Sequence, residues 1–161
     1  MSIEKTFSVR IAVVELRQYT LHPGARDTLI ALFDAELVEP QEACGMSVIG
    51  QFRDLDRPDR FVWLRGFADM DSRAEALAAF YGGPVWRRHG DAANATMIEF
   101  DDVLLLRPSA PGTGFTLDAR DRPPPGAAAP SSLFEAVICP VAPADLPAFA
   151  RGFAADPSVA G

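Results

Sequence analysis

The order in which apolar periodicity changes along residues 8–107 constrains this chain more than any other feature. Val9–Leu21 is dense in β-branched and apolar residues and reads as a strand. Pro23-Gly24 then turns the chain. Leu29, Leu32, Phe33 and Leu37 recur at helical spacing, so Ala25–Val38 is expected to be a helix capped by Asp27. Met46–Phe52 and Phe61–Ala68 read as two further strands, joined by the polar loop Arg53–Arg60 that contains Pro58. Asp71 or Ser72 is expected to cap a second helix through Ala74–Tyr81, stopped by Gly82-Gly83-Pro84. A shorter helical piece follows over Val85–Asn94, and Met97–Leu106 closes the series as a fourth strand.

The resulting order is β-α-β-β-α-β. Two split βαβ units of this kind make a ferredoxin-like α+β sandwich, with both helices on one face of an antiparallel sheet. The other face still needs a cover. On the third strand Val62 and Leu64 point one way while Phe61, Trp63 and Phe67 point the other, so both faces carry apolar side chains. A second copy of the domain is the economical cover, and a homodimer packed sheet to sheet is expected.

The composition changes at residue 108. Residues 108–130 hold Pro108, Pro111, Pro123, Pro124, Pro125 and Pro130 together with Gly112, Gly114 and Gly126. Proline removes backbone donors and glycine adds chain entropy, so this stretch reads as a linker or surface-draped loop. The compact domain is therefore expected over 8–107. Residues 131–161 read as a partial second repeat of a strand plus a helix. At a constant offset of 120 residues Glu15 matches Glu135, Pro23 matches Pro143 and Phe33 matches Phe153. Leu29 falls on Phe149 and strand-like Val14–Leu21 falls on Phe134–Val141, as in a duplicated unit.

Charge and cysteine usage narrow the function classes. Fifteen Lys and Arg against 22 Asp and Glu leave a net charge of −7, which argues against a nucleic-acid partner. No apolar run reaches the ~18 residues of a membrane span, and Met1–Arg10 has no apolar leader core, so a cytoplasmic protein with no membrane partner is expected. Cys44 and Cys139 lie far apart without metal-type spacing, and nothing beside Cys44 would activate its thiol. Asp54, Asp56 and Asp59 are spaced like loop ligands but interleave with Arg53, Arg57 and Arg60, as in a solvated hairpin. No metal and no bound cofactor is assigned. Serine-hydrolase, phosphate-loop and dinucleotide-binding motifs are absent from the sequence.

The residues able to carry chemistry are few. His22 and His89 are the only histidines. His22 precedes Pro23-Gly24, where a solvated turn residue suffices. His89 follows Trp86-Arg87-Arg88 beside Gly90-Asp91, which would set an imidazole near the mouth of a pocket. Arg17 and Tyr19 share a strand face with Glu15. They make either an internal ion pair or an anion clamp in which Tyr19 donates its hydroxyl. Trp63 and Arg65 form a comparable pair on the third strand, although aromatics at period two also serve simple sheet packing.

Several segments resemble the NIPSNAP family. They are Glu15-Leu16-Arg17-Gln18-Tyr19-Thr20-Leu21-His22-Pro23-Gly24, Phe61-Val62-Trp63-Leu64-Arg65-Gly66-Phe67, Phe80-Tyr81-Gly82-Gly83-Pro84-Val85-Trp86, Asp91–Met97 and Val103–Pro108. The resemblance covers roughly residues 12–108, and the tail resembles the start of a second such domain. It implies a dimeric α+β barrel of ferredoxin-like units. The barrel superfamily includes cofactor-free monooxygenases, haem-binding enzymes and lyases, so the fold does not choose an activity. Three readings follow. The first is a cofactor-independent enzyme acting on an apolar or aromatic small molecule, with His89 or Tyr19 carrying the proton and Arg17, Trp63, Arg65, Phe80 and Trp86 lining the pocket. The second is a non-catalytic dimeric module that binds a ligand or partner. The third is a haem-dependent enzyme with His89 as axial ligand.

Overall fold

The computed structural model describes residues 10–117, 122–124, 127–128 and 130–155. The chain forms two units, Met1–Ala127 and Ala128–Gly161.

In the first unit an antiparallel sheet is built from β1 (Val13–Leu21), β2 (Ser47–Arg53), β3 (Arg60–Phe67), β4 (Met97–Glu99) and β5 (Val103–Leu106). The spatial order is β2-β3-β1-β4, with β5 also paired to β1. Strand β1 lies along β3 from Val13↔Phe67 to Thr20↔Arg60. On its other side it pairs with β5 through Val14↔Leu106 to Arg17↔Val103 and with β4 at Leu21↔Met97. The expected fourth strand is thus one edge interrupted at 100–102, where Gln18 donates from its backbone to the Asp102 carbonyl at 3.0 Å. The expected first strand starts at Val13 instead of Val9, and Val9 itself lies outside the described residues. The sheet of one chain is open and does not close into a barrel.

The first helical segment departs from expectation in a way its sequence explains. It comprises α1 (Arg26–Leu32), a π turn at Phe33–Leu37 and α2 (Val38–Ala43), so it runs past Val38. Pro40 has no N–H to bond back along the helix, and its ring crowds the carbonyl four residues earlier. The wider π turn just ahead, in which the Val38 N–H bonds to the Phe33 carbonyl, takes up that misfit. Asp27 is not the cap: the N-cap is Ala25 without a side-chain bond, while Asp27 sits in the first turn and pairs with Arg53. The second helix, α3 (Met70–Tyr81), is capped by Asp69, which accepts from the Ser72 N–H at 2.7 Å. Neither Asp71 nor Ser72 plays that part. Helix α4 (Pro84–Asn94) opens with proline in its first turn, where a missing N–H costs nothing.

All four helices cover the sheet face that carries Glu15, Tyr19, Phe61, Trp63, Arg65 and Phe67. Leu29, Phe33, Leu37, Ala76, Phe80 and Ala93 supply the facing layer, every one buried. The Phe33 ring meets Phe61 at 5.6 Å and Trp63 at 4.8 Å edge-on, each contact worth about 0.5–1.5 kcal/mol beyond area burial. On the opposite face Val14 and Leu16 are buried, Val62, Leu64 and Leu104 are half-buried, and Leu106 and Ile98 are exposed.

The loop between β2 and β3 uses its acids internally. Asp54 accepts from the backbone of Asp56 and Arg57 at 2.9 and 3.0 Å, and Asp59 accepts from Gly24 N–H at 2.9 Å. Gly24 has φ +77°, a turn conformation that favours glycine. Beyond β5, Arg122 pairs with Glu42 and donates to the Val48 carbonyl at 3.1 Å, which ties this proline-rich stretch to β2.

In the second unit Leu146–Ala155 is a helix, α5, on which the Phe149 and Phe153 rings stack at 6.1 Å. The strand expected at Phe134–Val141 is not formed: these residues have no regular structure. A strand needs a neighbouring segment in register to complete its ladder, so a strand-like pattern alone does not make a strand.

Candidate functional site

Strand β1 sets Glu15, Arg17 and Tyr19 on the helix-covered face, and β3 adds Trp63 and Arg65 beside them through the pairs Glu15↔Arg65 and Arg17↔Trp63. Helix α3 brings down Arg73, Leu77 and Tyr81, one turn apart from each other. The result is a carboxylate held by three guanidinium groups. Glu15 Oε2 accepts from Arg65 Nε at 2.6 Å and from Arg17 Nη1 at 2.7 Å, while Oε1 accepts from Arg73 Nε at 2.7 Å. Burial alone would push the Glu15 carboxyl up. The charge of Arg65 and the hydrogen bonds from Arg17 and Arg65 outweigh it and hold the group below its ordinary value.

Above this cluster opens a cleft of about 280 Å³. Arg17, Arg65 and Arg73 form its polar side, and Leu77, Tyr81, Trp86, Met97 and Phe100 its apolar side. Tyr81 and Trp86 stand edge to face at 4.9 Å. Arg17 lies 5.4 Å from the Tyr19 ring centre and 5.6 Å from that of Trp63, within cation–π range. Its Nε donates to the Tyr19 hydroxyl at 2.9 Å, which leaves the phenolic O–H free to donate elsewhere. Burial pushes the Tyr19 pKa up, and Arg17 only partly opposes it, so the phenol keeps its proton at neutral pH. Beneath lies a second cavity of about 20 Å³, lined in part by Tyr19, Trp63, Phe80 and Trp86. It is large enough for one water. The buried indole N–H of Trp63 has no hydrogen-bond partner among the described residues.

Of the residues singled out in the sequence, Arg17, Tyr19, Arg65 and Trp86 meet at the larger cleft, and Trp63 and Phe80 line the smaller cavity beneath it. The pairing of Arg17 with Glu15 is both things at once: an internal ion pair and one wall of a cleft. His89 is elsewhere. It lies on the side of α4 that faces the π turn, with Nε2 3.4 Å from Glu36 Oε2, and lines neither cavity. Its neighbour Trp86, three residues earlier on the helix, is the residue that reaches the cleft. His89 therefore does not join the cleft residues, either as the expected proton carrier or as the axial ligand the haem reading needs. His22 is exposed at the turn after β1. Among the described residues no cluster of three or more His, Cys, Asp or Glu side chains could hold a metal ion.

Arg73, Leu77, Tyr81, Asn94, Met97 and Phe100 complete the cleft and are not among the residues the sequence singles out. The spacing Arg73-Leu77-Tyr81 is the signal that could have found part of this set, since it places a cation, an aliphatic and a phenol on one stripe of a helix already expected there.

The sequence profile of the NIPSNAP family matches residues 14–111. Among solved structures, an uncharacterized NIPSNAP-like domain protein from Burkholderia xenovorans is similar at 23% identity and TM-score 0.57, covering 68% of this chain and 97% of that one. A NIPSNAP family protein from Agrobacterium tumefaciens is similar at 21% identity and TM-score 0.56, covering 60% of this chain and 92% of that one. A second Agrobacterium tumefaciens protein, described as a NIPSNAP family protein with unknown function, has 21% identity and TM-score 0.55 over 63% of this chain and 93% of its own. No curated protein sequence matches this chain. Among the described residues no helix is long and apolar enough to cross a membrane.

Proposed function

The chain belongs to the NIPSNAP family, and on that footing we propose that it binds an apolar or aromatic small molecule in the cleft between the sheet and helices α3 and α4. The observation that carries this reading is the composition of the cleft, in which aromatic and aliphatic walls face a few convergent polar groups, the usual make-up of a small-molecule site. Its volume lies just under the ~300–1,000 Å³ common for such clefts, so the ligand is on the order of a single ring with a short side chain. Tyr19 is the proton carrier of this site. Its phenol is protonated at neutral pH, and the Arg17 guanidinium on its oxygen would stabilise the phenolate left by proton transfer. A tightly held metal has no part in the reading.

The proposal includes a homodimer in which a second copy covers the outer sheet face. Val62, Leu64, Leu104, Leu106 and Ile98 supply an apolar strip that one chain leaves partly open to water, and a second copy would bury it.

Native mass spectrometry of the full chain with a panel of aromatic compounds tests the binding reading. Saturable uptake of one molecule per chain, lost in Trp86→Ala while the fold is retained by circular dichroism, is the expected result. Uptake that does not saturate, or that survives Trp86→Ala unchanged, overturns it.

A further inference from the structure

Resting on the small-molecule reading above, we propose that the ligand of the cleft is an organic carboxylate whose anionic head sits between Arg17 and Arg73, with its apolar body against Tyr81 and Trp86. Charge is the first argument. Three guanidinium groups converge on one carboxylate, that of Glu15, so two positive charges are left unbalanced at the cleft. None of the described residues lining the cleft is acidic. Of the acids that follow Phe100 along the broken edge strand, Asp102 is engaged with Arg60 at 3.6 Å and with Gln18. Such a surplus, in a chain of net charge −7, is unusual enough to need a counter-charge.

Geometry is the second argument. Arg65 is deep, 1% exposed, with Nε on Glu15 and Nη1 on Gln41 at 3.1 Å and near the Tyr81 hydroxyl at 3.4 Å. Arg17 and Arg73 are the accessible pair. Arg17 directs Nη1 to Glu15 and Nε to Tyr19, and its Nη2 reaches only the Phe100 carbonyl, at the 3.5 Å limit of a hydrogen bond. Arg73 spends Nε and Nη2 on Glu15, and among the described residues Nη1 has no acceptor. The two spare donor edges belong to residues that line the same cleft. The Tyr19 O–H adds a third donor. Glu15 already demonstrates the recognition on the inner edges of these guanidiniums, and a ligand carboxylate would repeat it on the outer ones. A carboxylate is favoured over a phosphate because most of the small cleft is apolar wall, leaving room for one planar head and a ring.

The test compares phenylacetate with 2-phenylethanol, an uncharged molecule of nearly the same shape, titrated into the full chain. Of the chain's two tryptophans Trp86 lines the cleft and Trp63 lines the small cavity beneath it, so intrinsic fluorescence reports binding. Phenylacetate should bind about tenfold or more tighter than the alcohol, as a charge-assisted pair implies. In Arg73→Gln that preference should shrink to about threefold or less with the alcohol's affinity unchanged, and Arg73→Lys, whose single ammonium cannot hold Glu15 and the ligand with a fork, should restore only part of it. Equal affinity for acid and alcohol in the unmodified chain overturns the carboxylate assignment while leaving the small-molecule reading standing. So does a loss in Arg73→Gln that falls equally on both. Displacement of phenylacetate by inorganic phosphate at lower concentration than by acetate assigns the site to phosphate and overturns the carboxylate. Binding of neither probe overturns the small-molecule reading and this inference with it.

Discussion

Replacing Glu15 with Gln removes the one negative charge from beneath three arginines while keeping the shape of the side chain. Glu15 is fully buried, and Arg65, which bonds to it at 2.6 Å, is 1% exposed. Taking away one partner of a buried ion pair leaves the other uncompensated, at a cost of about 3–5 kcal/mol. Against a total stability of ~5–15 kcal/mol that is a large share. For a domain of this size it corresponds to a fall in Tm on the order of 15–30 °C. Thermal and urea unfolding at pH 7, followed by tryptophan fluorescence, would measure it. The pH dependence gives an independent reading. The Glu15 carboxyl is held below its ordinary value of 4.5, so the stability it contributes is present above that pH and is lost as pH falls through the lower, folded-state value. The gap between the unmodified chain and Glu15→Gln should therefore be widest near neutral pH and should narrow below about pH 4.5. A Tm change under about 5 °C at pH 7, or a gap that does not depend on pH, would refute the claim that this carboxylate organises the cluster.

Gly66→Ala should destabilise by about 1–3 kcal/mol, because its Cβ would meet Ile11 Cγ2 at 2.6 Å. In an Ile11→Ala background the same change should cost under about 0.5 kcal/mol, and equal costs in both backgrounds by chemical denaturation would contradict the contact. Gly90→Ala places a Cβ 2.8 Å from the Trp86 indole, so that ring must move. Binding of phenylacetate and of 2-phenylethanol should both weaken by about tenfold with helix content unchanged by circular dichroism; full affinity would show that Trp86 is not a wall of the site. For the proposed dimer, light scattering at micromolar concentration should give a dimer for the unmodified chain and a monomer for Leu64→Asp on the outer sheet face, and a dimer that persists in the variant would place the association elsewhere.

The fold was legible because it is written in period. Phe61, Trp63, Arg65 and Phe67 alternate with Val62 and Leu64, and the structure buries the first set under the helices while leaving the second on the outer face. The boundaries were harder where one residue overrides a pattern. The helix expected to end at Val38 continues instead through the π turn at Phe33–Leu37 and past Pro40 to Ala43. Asp69 won the cap of α3 over Asp71 and Ser72 because only it has the extended backbone of an N-cap. The tail shows the converse: Phe134–Val141 has a strand's composition but no regular structure.

The site was legible in its strand half. Arg17, Tyr19, Trp63 and Arg65 follow from alternation along β1 and β3 once the pairing is known. The helix half depends on rotation about the helix axis, which is less directly written in sequence than the alternation of a strand. Trp86 and His89 are three residues apart on α4, and a modest difference in rotation decides that the indole faces the cleft while the imidazole faces Glu36. Arg73 was hidden for a similar reason, since a helical arginine usually belongs to a solvated face.

A crystal structure of the full chain with phenylacetate bound tests the central claim most directly. The account predicts the ring between Tyr81 and Trp86, with the carboxylate oxygens about 2.7–2.9 Å from the guanidinium nitrogens of Arg17 and Arg73. Phenylacetate bound outside the cleft, or inside it with the carboxylate turned away from both arginines, would contradict the account.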